Sequence, residues 1–202
     1  RGYAAMKTLV QDGTLGDLNS IIIYQNTSLF NGSPHSFDLA LYLNNDVPVS
    51  WVQAHLPEDP QGGRSKNGDF NMRAGDSLFE DPSGHGIIQF TNGVSAYALL
   101  SGRASEFEAT CEYGIVTAIE QNDTWVIRKN NVNSNNRDSE PMVPGTFPEF
   151  KHKSTTLALI EDLVQSLDTG HPPARGIRTA YASTELLFAF LESHRQNGAR
   201  VA

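Results

Sequence analysis

Residues 31–43 read Asn-Gly-Ser-Pro-His-Ser-Phe-Asp-Leu-Ala-Leu-Tyr-Leu, a polar loop that delivers a histidine into the first turn of an apolar helix. Ser33 has the hydroxyl of an N-cap, and Pro34 suits the first helical position, where no N–H is needed. His35 then stands near the positive end of the helix dipole, which disfavours the imidazolium. An imidazole held neutral at physiological pH is able to take a proton from an alcohol, so the spacing fits a general base. The same placement fits a histidine that only satisfies backbone groups at a helix start, and the residues alone leave both readings open.

The elements that must position His35 follow from periodicity. Tyr3 to Asp12 reads as a helix, with Met6, Leu9 and Val10 at helical spacing and Gly13 placed to end it. After Gly16, Ser20 to Thr27 predicts a strand centred on Ile21-Ile22-Ile23-Tyr24. The His35 helix should end near Asn44-Asn45, and Val47 to His55 alternates as a second strand. Pro57 to Pro82 is rich in Gly, Pro, Asp and Asn and reads as a long excursion, a kind of segment that is often functional.

Short strands follow at His85 to Thr91, Val94 to Ser101, Glu106 to Tyr113 and Gly114 to Gln121. Asn92-Gly93 marks a hairpin because both residues tolerate positive φ, and Tyr113-Gly114 marks another corner. Trp125 to Arg128 adds a strand, and Asn130 to Pro148 is polar and proline-bearing, hence irregular. Leu157, Ile160, Val164 and Leu167 form one helical stripe with Gly170 as C-cap. Tyr181 to Gln196 is the closing helix, before Asn197-Gly198. This order predicts an α+β domain, a largely antiparallel sheet with helices on one face. Trp51, Tyr97, Tyr113 and Trp125 are read as sheet-packing residues. A sheet covered on one face leaves the other needing cover, and Val94, Tyr97, Leu99, Phe107 and Ile119 offer apolar side chains for pairing with a second copy.

Composition narrows the partners. With 202 residues, 39% hydrophobic and 19% charged, the chain is long enough for a sizeable core and is not of disordered type. A formal charge of −8 argues against nucleic acid, which needs a basic face. Apolar runs are too short for a membrane span. Cys111 stands alone, so no internal disulfide forms, which fits a reducing, cytoplasmic setting. Asn26-Thr27-Ser28 and Asn122-Asp123-Thr124 match the glycosylation sequon, a match frequent by chance. No G-x-G-x-x-G, P-loop, zinc spacing or G-x-S-x-G is present, so neither a cofactor cradle nor a metal site is expected within the chain. The chain begins at Arg1 and is helical almost at once, so an upstream portion is expected.

The order of segments resembles the C-terminal domain of the glucose–fructose oxidoreductase and inositol dehydrogenase family (Gfo/Idh/MocA). Leu9 to Leu18 resembles that family's helix, G-x-L-G turn and first sheet strand. Residues Asn31 to Asp38 resemble its D-x-G-x-H-x-x-D signature, and Phe90-Thr91-Asn92-Gly93 its F-x-N-G hairpin. Glu108 to Gly114 resembles the strand leading to a G-x-x-G corner. Leu163 to Pro173 and Glu192 to Val201 resemble the closing helices.

The resemblance spans residues 1–202 and implies a dihydrodipicolinate-reductase-like C-terminal domain, an open, mixed and largely antiparallel sheet. It implies that this is the substrate-binding and oligomerisation part of a longer two-domain protein. Its upstream Rossmann domain would bind NAD or NADP and carry the family's E-K-P lysine. His35 matches the family's active-site histidine. Asn31 stands where the family usually has Asp, and Ser33 stands at the motif's glycine. An amide holds a hydroxyl but takes no proton, so alcohol binding survives this departure and an Asp-assisted relay does not. Asp38, one turn beyond His35, either orients the imidazole or bonds to backbone. Tyr24 and Asn26, with Gln25, end the first strand where a polyhydroxylated substrate would reach them, or they form an ordinary strand end. His152, between Lys151 and Lys153, precedes a helix near where the family lines its cleft, and also reads as part of a solvated basic patch. The implied activity is hydride removal from a secondary alcohol of a sugar, inositol or related polyol, by a homo-dimer or tetramer. A non-catalytic binding or assembly module on the same scaffold is the alternative.

Overall fold

The computed structural model describes residues 2–25, 28–56, 71–74, 77–100, 106–119, 124–131, 141–150, 154–173 and 175–202. The elements in chain order are α1 (Gly2–Gln11), β1 (Leu18–Gln25), α2 (Ser33–Leu43), β2 (Val49–His55), β3 (Asn71–Ala74), β4 (Ser77–Glu80) and β5 (His85–Phe90). They continue with β6 (Ser95–Leu100), β7 (Glu106–Cys111), β8 (Gly114–Ile119), β9 (Thr124–Lys129), β10 (Val143–Gly145), α3 (Thr155–Thr169) and α4 (Ile177–Arg195). An eight-stranded sheet runs in the order β10-β9-β8-β7-β1-β6-β5-β2, and β3-β4 form a separate hairpin. Every pairing of the large sheet is antiparallel except β1 with β6. The α+β architecture expected from the sequence is therefore the one observed.

Strand alternation sorts the sheet into two faces. Ile21, Ile23, Ile88, Ala96, Ala98 and Val116 are buried against the helices. Met6 of α1, Phe37 and Leu41 of α2, and Leu186 and Phe190 of α4 supply the facing apolar layer. The Phe37 and Phe190 rings meet at 4.7 Å between centroids, joining α2 to α4 over the sheet. The helix α4 is also tied to the edge strand. Ser193 Oγ accepts the Ala54 N–H at 2.8 Å and donates to the Ala199 carbonyl at 2.6 Å. Val201 then bridges to Val52.

Several local expectations change. The excursion contains the β3–β4 hairpin, and the stretch taken as irregular contains β10. The closing helix starts at Ile177 rather than Tyr181. Of the residues offered for the outer sheet face, Phe107 and Val94 are buried in the core, because Phe107 shares the inward parity of Ala109. Tyr97 and Leu99 are exposed on the other face. At the β5–β6 corner only Gly93 takes positive φ, at 93°. Asn92 instead uses its side chain, exchanging amide hydrogen bonds with Asn44 at 2.9 and 3.4 Å and so docking the hairpin on the end of α2. Glycine is also required at Gly16, φ 77°, where an added Cβ would lie 2.7 Å from Glu112 Cβ. Tyr113 sits in the β7–β8 turn rather than on a sheet face. No helix among the described residues is long and apolar enough to cross a membrane.

Candidate active site

The candidate site is built where β1 hands over to α2. Ile21, Ile23 and Gln25 share one parity, so Gln25 is carried into the core at the strand's end and is 2% exposed. A buried amide needs partners, and the Ser33 hydroxyl donates to Gln25 Oε1 at 3.2 Å. That contact corrects the expectation for Ser33. The N-cap is Gly32, without a side-chain cap, and Ser33 is the first helical residue with its hydroxyl turned inward. The cause is the preceding turn, in which the Ser28 carbonyl accepts the N–H groups of Gly32 at 3.1 Å and Ser33 at 3.4 Å. Pro34 still falls in the first turn, and His35 is the third helical residue. His35 is exposed, and its N–H donates to the Gly32 carbonyl at 3.2 Å.

The loop ahead of His35 is fastened from an unexpected direction. Asp81, 4% exposed, accepts the Phe30 N–H on Oδ1 and the Asn31 N–H on Oδ2, each at 2.9 Å. The adjacent Pro82 carbonyl accepts the Leu29 N–H at 2.7 Å. Asn31 itself is exposed, so its amide and the His35 ring both lie at the surface at the start of α2. The Phe30 ring rests edge-on against Phe188 of α4 at 5.8 Å.

Asp38 has a different partner from the one considered above. Arg175 Nη2 donates to Asp38 Oδ1 at 2.6 Å and to the Asp38 carbonyl at 3.2 Å. Arg175 Nη1 reaches both carboxylate oxygens of Asp46, at 2.6 and 2.7 Å. The guanidinium also lies 5.5 Å from the Tyr42 ring centroid, and Lys7 Nζ lies 4.1 Å from the same ring. Burial disfavours the Arg175 cation, but hydrogen bonds to Asp38 and Asp46, and their charges, outweigh it and hold its pKa above the usual arginine value. The Asp38 carboxylate is thus committed to a clamp between α2 and the entry to α4, rather than to the His35 imidazole.

Asn31 lies on the pinned loop, and His35 and Asp38 follow it on α2, with Asn31 and His35 both exposed. Tyr24 is half-buried and has the opposite strand parity to Gln25, so it faces away from α2. Asn26 and His152 lie outside the described residues. Sequence reasoning missed Asp81, Arg175 and the inward role of Gln25. Only Gln25 carried a signal, a polar residue at the third position of an Ile-x-Ile-x-Gln inward series. Among the described residues no group of His, Cys, Asp or Glu is placed to hold a metal.

No protein-family model matches the chain, and no curated protein matches it significantly by sequence. Solved structures match its fold. An aldose-aldose oxidoreductase from Caulobacter crescentus, complexed with glycerol, is 17% identical with a TM-score of 0.71, over 98% of this chain and 59% of that one. An NAD-binding protein from Listeria innocua is 13% identical with a TM-score of 0.72, over 99% and 63%. A levoglucosan dehydrogenase in complex with NADH and L-sorbose is 16% identical with a TM-score of 0.68, over 99% and 64%. The chain spans about 60% of the length of the structures it matches. These likenesses show the fold: the chain folds as a part of these oxidoreductase and NAD-binding structures does, while the order of its sequence segments resembles the C-terminal domain of the glucose–fructose oxidoreductase and inositol dehydrogenase family.

Proposed function

We propose that residues 1–202 are the substrate-binding and oligomerisation domain of an NAD(P)-dependent oxidoreductase. Its substrate would be a secondary alcohol of a sugar, inositol or related polyol. The observation that carries this reading is the exposed His35 in the first turn of α2, directly after a loop held by a buried carboxylate. Its fold is shared with proteins described as acting on, or bound to, sugars and polyols. An unprotonated ring nitrogen of His35 takes the hydroxyl proton, and the Asn31 amide holds a hydroxyl without deprotonating it. A nicotinamide held by the upstream domain would supply the hydride acceptor for the carbinol carbon. No glycine-rich cradle occurs in the sequence, so the dinucleotide is assigned to an upstream Rossmann domain, which also supplies the family's lysine.

Two apolar surfaces support the partners in this reading. On α3, Leu159 and Leu167 are 66% and 74% exposed, and on α4, Ile177 and Tyr181 are exposed as well. The upstream domain would cover these helices. On the outer sheet face Tyr97 and Leu99 are exposed, and a second copy would cover them, giving a dimer or tetramer. The lone, buried Cys111 fits a cytoplasmic protein.

Two observations favour the non-catalytic alternative. Asn31 cannot relay a proton, and Asp38 is held by Arg175. The complete protein, assayed for hydride transfer against sugars and cyclitols with NAD and NADP, separates the two readings. Turnover that His35→Ala lowers by about 10²–10⁴ supports the enzyme. Binding of a polyol without turnover supports the module.

A further inference from the structure

We infer that Asp81 is a positioning residue, which holds the Asn31–His35 loop in the register the site needs. This rests on the catalytic reading of His35. A carboxylate presents two acceptor oxygens. Each Asp81 oxygen takes one of two successive backbone N–H groups, Phe30 on Oδ1 and Asn31 on Oδ2, both at 2.9 Å. Two bonds to adjacent peptides fix the direction of the loop as well as its distance, which one bond would not. The neighbouring Pro82 carbonyl takes the Leu29 N–H, so three consecutive peptides are held by two consecutive residues.

The chemistry selects aspartate. An asparagine offers one acceptor oxygen and turns its NH₂ toward the second N–H donor, so one peptide loses its partner. At 4% exposure no solvent replaces that partner readily. Downstream of Asn31 the Ser28 carbonyl holds the Gly32 and Ser33 N–H groups, so Asp81 and Pro82 supply the backbone anchors of the preceding stretch, Leu29 to Asn31. Asp81 directly follows β4, so it also ties the β3–β4 hairpin to the loop that precedes His35. A displacement of roughly an ångström at a site of this kind costs about 10²-fold in rate.

The test compares Asp81→Asn, Asp81→Ala and His35→Ala in the complete protein. Hydrogen exchange reads the Phe30 and Asn31 amides, and steady-state kinetics read the alcohol and the dinucleotide separately. Expected for Asp81→Asn are lost protection confined to those amides and kcat/KM for the alcohol down by about 10²-fold. The KM for dinucleotide should be unchanged, and Asp81→Ala should show the same split more strongly. If Asp81→Asn keeps both protection and kcat/KM while His35→Ala is inactive, the inference falls and the catalytic reading stands. If kcat is unchanged and only the melting temperature drops, Asp81 is structural and the inference likewise falls. If His35→Ala keeps wild-type turnover, the catalytic reading itself falls and takes this role for Asp81 with it.

Discussion

α2 and α3 both carry apolar side chains at helical spacing, yet only α2 buries them. In α2, Phe37, Ala40, Leu41 and Leu43 are buried, and Asp38 is clamped by Arg175. In α3, none of the described side chains is buried, and the stripe of Leu157, Ile160, Val164 and Leu167 is open to solvent. Both helices have ordered ends. Gly170 closes α3 in the left-handed conformation at φ 72°, and Ser154 caps its start. The difference lies in the partner surface, not in local propensity. Periodicity shows that a helix has a face to bury, and says nothing of which chain buries it.

If that contrast is right, the largest effect belongs to the α2–α4 contact. Phe37 is fully buried and its ring lies against Phe190, tilted by 38° with centroids 4.7 Å apart. Phe37→Ala should destabilise the chain by about 3–5 kcal/mol, the usual cost of emptying a buried phenylalanine site. Urea unfolding followed by circular dichroism measures it. A change under 1 kcal/mol would mean that α2 is not packed as described.

The sheet side of the same core should show itself in alkali. Burial, with Asp17 nearby, pushes the Cys111 thiol up to about 11 from the ordinary 9.0. The unfolded chain releases this proton near pH 9 while the folded chain keeps it, so stability falls as pH rises from about 9 to about 11. The loss is of the order of 2–3 kcal/mol, at about 1.4 kcal/mol per pKa unit. Cys111→Ala should flatten that part of the pH–stability curve. A curve of the same slope with and without the thiol counts against its burial.

The Arg175 clamp ranks next. Its carboxylates are 39% and 43% exposed, so solvent screens the pairs and the bidentate geometry does not bring them to buried-pair strength. Arg175→Ala should cost about 1 kcal/mol, less at high salt, with Lys restoring part of it. An unfolding midpoint that moves equally at low and high ionic strength would show that the side chain acts through packing alone.

The same comparison explains what the sequence disclosed. The succession of main-sheet strands and the four helices were legible because alternation and the 3.6-residue period report one residue's surroundings at a time. The Ile21-to-Tyr24 strand core and the Asn92-Gly93 corner are of that kind. His35 and Asn31 were legible as a loop-to-helix motif. Asp81 and Arg175 were not, because each acts across a separation of 50 residues or more, Asp81 on Asn31 and Arg175 on Asp38. An acid or an arginine in a polar loop looks alike whether it points into solvent or into a peptide pair. The inward turn of Ser33 was hidden for a related reason. A serine before Pro at a helix start has the look of a cap, and only the turn at Ser28 displaces it into the first helical position.

The smallest expected effect is the most discriminating. Leu167 is 74% exposed in α3, so replacing it with Gln removes almost no buried area within this chain. Leu167→Gln should therefore change the unfolding free energy of the 202-residue chain by no more than about 0.5 kcal/mol, as surface substitutions do. In the complete protein the same substitution should matter more, because the proposed upstream domain would cover this stripe and each lost apolar contact weakens that docking. The measurement is a pair of unfolding curves, one for the chain and one for the complete protein. A loss above about 2 kcal/mol in the chain alone, the scale of a buried leucine, would mean that α3 packs within it. Equal, negligible effects in both proteins would leave the stripe uncovered and remove the reason for assigning it to the upstream domain.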